Sequence, residues 1–193
     1  WYAVESIDPS LGEKGSHEKW VELVEVLSGG HSKYILDYYA LLFQQPGRKP
    51  RTCLVFRGKP GCGKGVHLHS LEILMGGDLY FETNKAQQDV FGNHAQAFNC
   101  NKLVVMNEVS MKYTAENTQL LLGLIADTAG VQINKKGIDT YEVRNLAGTV
   151  MLSNDKVVVY VDETDRRYAI FETGEKYRNN QAWFADFETY VEA

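Results

Sequence analysis

An apolar run, Cys53-Leu54-Val55-Phe56, leads into Gly58-Lys59-Pro60-Gly61-Cys62-Gly63-Lys64-Gly65 and then into the helix-like stretch that continues from Val66 to Met75. The order strand, glycine loop, helix constrains this chain more than any other feature. Glycines let successive backbone N–H groups turn inward around anionic oxygens, and the start of the following helix adds a favourable dipole. Lys64 supplies a mobile positive charge for β and γ phosphates. Gly58 through Val66 are therefore the expected nucleotide-binding residues. The loop departs from the pattern at its last place, where Gly65 replaces the Ser or Thr that would hold magnesium. A glycine-rich turn with an incidental lysine is the plainer alternative.

The rest of the chain supplies the context such a loop needs. Residues 17–29 carry Trp20, Val21, Val24 and Leu27 at helical spacing and end in Gly29-Gly30. Residues 32–45 read as a second amphipathic helix capped by Ser32, after which Pro46 and Gly47 break the pattern. Residues 1–50 are expected to form a helical lobe and 51–193 an α/β core. In that core, strands are expected in 51–58, 78–84, 102–108, 146–154 and 165–172, with helices in 64–76, 114–127 (capped by Thr114) and 182–191. Residues 131–143 read as a hairpin. Strands alternating with helices imply a three-layer α/β fold around a mostly parallel sheet.

Two apolar runs end in polar residues of chemical interest. Leu103-Val104-Val105-Met106 ends in Asn107-Glu108. Glu108 is the candidate to orient or deprotonate an attacking water, and Asn107 to support a metal ion through water. Polar capping of a strand end is the alternative. The run Gly148–Ser153 ends in Asn154, which would project towards a γ phosphate if its strand lies beside the loop strand. A plain turn before Asp155 explains it equally well. Arg166 and Arg167 form either a solvated edge or, in an oligomer, a charge donated to a neighbour's phosphate. Lys135 and Lys136 at the hairpin turn are either solubilising or placed for a nucleic-acid backbone.

This ordered set resembles the superfamily 3 helicases of viruses and plasmids, and more closely the ATPase module of poxvirus-like and phage-type primase-helicases, over roughly residues 30–175. The resemblance implies an AAA+-like P-loop NTPase core that binds ATP and Mg2+, forms hexameric rings and moves along single-stranded DNA. It further implies phosphate contacts from Gly58, Gly61, Gly63 and Lys64, a sensor at Asn154, DNA contacts from Lys135 and Lys136, and an arginine finger at Arg167 with Arg166 as alternate. Gly65 and Asn107 both depart from the family pattern and weaken direct support for magnesium. A primase domain is expected elsewhere in a parent chain.

Composition restricts the rivals. A net charge of −5 argues against a surface that binds nucleic acid everywhere, and three cysteines without paired spacing suggest an intracellular, reducing setting. No run of roughly 18 apolar residues suggests a membrane span. The start, which lacks a Met, reads as that of a fragment from a longer protein. Two other classes remain open: a non-catalytic nucleic-acid-binding oligomer with a degenerate nucleotide site, and a P-loop nucleotide or polynucleotide kinase.

Overall fold

The computed structural model describes residues 17–92, 96–128, 130–133, 139–161 and 165–192. The chain opens with α1 (Glu18–Leu27) and α2 (Ser32–Gln44). Gly29 and Gly30, at φ +61° and +95°, take the backbone out of α1. The turn to α2 is not capped by Ser32, which already lies inside the helix. Ser28 Oγ accepts the His31 N–H at 2.9 Å, and the Glu25 carboxylate accepts the Ser32 N–H at 3.3 Å. One orphan donor of α2, the Ser32 N–H, is thus met by a side chain of α1.

Next come β1 (Cys53–Arg57), α3 (Lys64–Met75), β2 (Tyr80–Thr83), α4 (Ala86–Asp89) and a 3-10 turn at Gln96–Phe98. These are followed by β3 (Leu103–Met106), α5 (Met111–Glu116), α6 (Thr118–Ala126), β4 (Gly130–Ile133), β5 (Tyr141–Arg144), β6 (Gly148–Ser153), β7 (Tyr168–Glu172) and α7 (Gln181–Glu192). The helix expected over 114–127 is two helices broken at Asn117. Thr114 is not a cap: it is buried within α5, and its hydroxyl donates to Val158 O at 2.6 Å. A buried partner on the β6–β7 connection outweighs the capping role that Thr favours locally.

Five strands form one sheet in the order β2-β3-β6-β1-β7, every pair parallel. Strand alternation divides the core in two. Leu54 and Phe56 of β1, with Val105 and Leu152, join a cluster built with α1, α2, α3 and α7. Cys53 and Val55, with Val104, Met106 and Met151, join another that includes Leu121, Leu124 and Ile125 of α6. Both faces of the sheet are therefore covered, giving three layers. This is why β1, β3 and β6 read as continuous apolar runs. The Tyr38 hydroxyl accepts the Thr149 N–H at 2.9 Å and lies 3.0 Å from Thr52 O, tying α2 to the seam between β1 and β6.

β4 and β5 pair antiparallel, from Gly130 opposite Arg144 to Ile133 opposite Tyr141. The turn that carries Lys135 and Lys136 lies outside the described residues. Among the described residues, no helix is long and apolar enough to cross a membrane.

Candidate nucleotide site

The sheet order decides which side chains meet. β6 lies between β1 and β3, and all three run the same way, so the loop after β1, Asn154 after β6 and Asn107-Glu108 after β3 emerge at one end. The carboxyl ends of parallel strands are where α/β sheets bind ligands. Here they open into a cavity of about 650 Å³ lined by Pro60 through Val66, Glu108 and Asn154, among others.

Within the loop, the Lys64 ammonium has three acceptors: Gly58 O at 2.5 Å, Lys59 O at 3.0 Å and Asn154 Oδ1 at 3.1 Å. Partial burial lowers its pKa from the ordinary lysine value. The loop's glycines are set by close approach as well as by backbone angle. Gly61 has φ +79°, and a Cβ there would come 2.2 Å from Asn179 Oδ1. Gly63 has φ +96°, and a Cβ there would come 2.7 Å from the Phe184 ring. Gly65 differs: nothing lies within 4 Å of the place its Cβ would occupy. The absent hydroxyl therefore reflects no steric demand.

The segment before α7 clasps the loop from outside. Asn179 N–H donates to Gly61 O at 3.0 Å, and Arg178 Nε to Pro60 O at 3.4 Å. Lys59 pairs with Glu175 at 2.8 Å in an exposed ion pair. Cys62 is buried in the loop and free.

At the end of β3, Asn107 N–H donates to Thr83 O at 2.8 Å, and its side-chain amide donates to the Glu82 carboxylate. The amide oxygen of Asn107 is buried without a partner. Glu108 is exposed to the cavity and held at φ +52°, a left-handed conformation unusual for a residue with a Cβ. Two bonds fix this turn: Val109 N–H donates to Leu152 O at 3.1 Å, and the Ser153 hydroxyl to Val109 O at 2.7 Å. Backbone strain held by neighbouring strands is a usual accompaniment of reactive positions.

Among the described residues, no three His, Cys, Asp or Glu side chains converge to ligate a metal. The orphaned Asn107 oxygen, with Glu82 and Glu108 nearby, suits an ion held by phosphates and water and contacted through that water. The residues fit magnesium in that indirect manner.

Arg166 and Arg167 are not brought to this cavity. Cys53 N–H donates to Arg167 O at 2.8 Å, which places both arginines at the opposite end of β1. A five-residue strand separates them from the loop, roughly 16 Å at the usual rise. Arg166 is exposed, and Arg167 pairs with Asp165 at 3.7 Å.

The sequence reading missed Glu82, Asn84 and the whole contribution of α7, in which Gln181, Phe184 and Glu188 face the cavity. Glu82 and Asn84 had a signal, since that strand also ends in a polar cluster. The α7 residues recur at positions i, i+3 and i+7, a pattern that also marks an ordinary core face.

A model of a family of unknown function, DUF5906, matches residues 56–167. The DNA primase-polymerase of Nitratiruptor phage NrS-1 is 27% identical over 166 residues, covering 81% of this chain and 21% of that protein. The chain thus spans about a fifth of that curated relative. The apo structure of the NrS-1 C-terminal region has a TM-score of 0.78 at 20% identity, covering 91% of this chain and 44% of that one. The X-ray structure of JCV helicase has a TM-score of 0.55 at 12% identity, covering 93% and 52%. At these identities the likeness is one of fold: a mostly parallel five-stranded sheet with flanking helices.

Proposed function

We propose that this chain, which belongs to the DUF5906 family of unknown function, is the ATP-hydrolysing motor of a viral or mobile-element replication protein and moves on single-stranded DNA as a ring. The observation that carries this reading is the bond between Lys64 and Asn154 across two adjacent strands, with Glu108 on the third. A nucleotide-binding loop, a polar sensor and a carboxylate share one cavity.

The chemistry follows from these positions. Loop N–H groups and the start of α3 receive the phosphates, and Lys64 exchanges its loop carbonyls for phosphate oxygens. Glu108 orients the attacking water and accepts its proton, while Asn154 holds the terminal phosphate against Lys64. Magnesium, when bound with the nucleotide, would neutralise phosphate charge, with Glu82, Asn107 and Glu108 contacting it through water. Arg167, or Arg166, lies too far from its own cavity to act there, so its role requires a neighbouring subunit's site. Lys135 and Lys136 would meet the DNA backbone in the ring channel. A primase domain in the parent chain is supported by the name of the phage relative.

A degenerate, non-catalytic site is the reading favoured by Gly65 and Asn107 together. One experiment separates the two. Phosphate release from ATP is measured with single-stranded DNA, alongside binding of a fluorescent nucleotide, for the wild-type protein and Glu108→Gln. The motor reading expects a rate loss of at least about 100-fold in the variant with binding retained. Full activity in Glu108→Gln overturns the assignment of that residue, and no release by the wild-type protein favours the degenerate site.

A further inference from the structure

The cavity has two ends, and only one is taken by phosphate chemistry. The contact between Lys64 and Asn154 fixes the terminal-phosphate end, beside Glu108. With the middle phosphates over Gly63 to Val66, the nucleoside must leave on the other side, where α7 forms the wall. There Gln181, Phe184, Ala185 and Glu188 share one helix face at i, i+3, i+4 and i+7. Beside them, a separate small crevice of about 10 Å³ is lined by Phe187 and Glu188 with Val66 and Ile73 of α3.

This wall is held in place. Its lead-in is bonded to the loop through Asn179 and Gly61. Its first turn is locked by Trp183, which stacks on Tyr177 at 3.9 Å with an interplanar angle of 12°. Phe187, one turn on, is 1% exposed in the core. The position of α7 is thus set by core packing on one side and by the phosphate loop on the other. The plainer account is that Phe184 merely packs against Gly63 and that Glu188 is a solvated carboxylate. It leaves unexplained why an aromatic ring, a small residue and a charged one line the cavity together.

Their chemistry is complementary to a nucleobase. Phe184, Ala185 and Val66 give the cavity apolar lining on this side, and an aromatic ring packs well on a base. Glu188 offers acceptors only, which suits an exocyclic amino group and no carbonyl. We infer that α7 is the base-reading wall of the nucleotide site, with Phe184 packing on the base and Glu188 accepting from its amino group, so that amino-bearing bases are selected. The inference rests on the nucleotide reading above and adds a specificity determinant to it.

Binding of three probes by calorimetry tests it: ATP, purine riboside triphosphate (which lacks the amino group) and inorganic tripolyphosphate. The wild-type protein is expected to prefer ATP over purine riboside triphosphate by about 10-fold, the usual worth of a hydrogen bond to a charged group. Exposed Glu188 replaced by alanine should erase that preference and leave tripolyphosphate affinity unchanged. Phe184→Leu should weaken ATP by a larger factor than tripolyphosphate, since its ring also packs against Gly63 of the loop. Equal binding of ATP and purine riboside triphosphate by the wild-type protein, or a preference intact in Glu188→Ala, overturns the inference and leaves the phosphate site standing. Binding of none of the three removes both.

Discussion

Lys64 Nζ lies 3.1 Å from Asn154 Oδ1, although 90 residues separate them in the chain. The contact exists because β1 and β6 are adjacent and parallel, so their carboxyl ends deliver both side chains to one point. The two should differ in what they do. Lys64→Ala removes the positive charge proposed to meet the phosphates and should abolish nucleotide binding. Asn154→Ala should keep binding within a few-fold and lower ATP hydrolysis by roughly 10-fold or more, as loss of a single positioning group does. Titration with a fluorescent nucleotide, followed by single-turnover hydrolysis, separates these outcomes.

Gly65→Ser should fold as well as the wild-type protein, since its side chain enters open space. A hydroxyl there stands where a phosphate loop supports magnesium. The magnesium concentration giving half-maximal hydrolysis should fall. An unchanged magnesium requirement would mean that outer contacts already suffice. Gly63→Ala provides the contrast: its Cβ would press on Phe184 from a left-handed backbone, so both thermal stability and nucleotide binding should decline.

Arg167 and Glu108 sit at opposite ends of one sheet. If the arginine completes a neighbour's site, Arg167→Ala and Glu108→Gln should each be inactive alone and recover activity when mixed. Mixed rings then contain some interfaces with both groups intact. Hydrolysis measured across mixing ratios should peak at intermediate composition. A flat baseline at every ratio, in samples that light scattering shows to be mixed oligomers, would remove the shared-site role.

His67 is buried among Trp20, Tyr39 and Phe56 with neither ring nitrogen bonded. Burial pushes its pKa down from 6.5 to about 3. The unfolded chain therefore takes up a proton near pH 6.5 while the folded one resists until about pH 3. The stability this neutral ring contributes is complete above pH 6.5 and is lost as pH falls towards 3. His67→Leu should flatten urea stability across that window. A slope identical to wild type would show that other groups govern acid unfolding.

Much of the fold was legible because buried parallel strands leave long apolar runs. Leu103 to Met106 and Gly148 to Ser153 announced themselves in this way, and the glycine loop was legible from the backbone geometry it demands. Ser32 and Thr114 misled because capping preference is local. Glu25 supplied the first cap, and Val158 drew the second hydroxyl inward. The break at Asn117 was hidden for the same reason, since helical periodicity runs on across it. That Lys64 and Asn154 share a cavity was legible because each ends or follows a run of clear type. The α7 wall was not, because a helix face reads alike whether it meets a core or a cavity. Lys135 and Lys136 lie outside the described residues, so their part rests on the residue types alone.

The clasp between Asn179 and Gly61 bears on how short a working piece can be. A chain cut after Glu172 would keep every strand of the sheet, the entire glycine loop and the strand-end residues Asn107, Glu108 and Asn154. It would lose the residues that hold Gly61 and Gly63 from outside, and it would uncover the core that Phe187 fills. The smallest unit that keeps the whole cavity is therefore longer than the smallest unit with a complete sheet. Limited proteolysis between Thr173 and Gln181 would separate the two while leaving the strands intact.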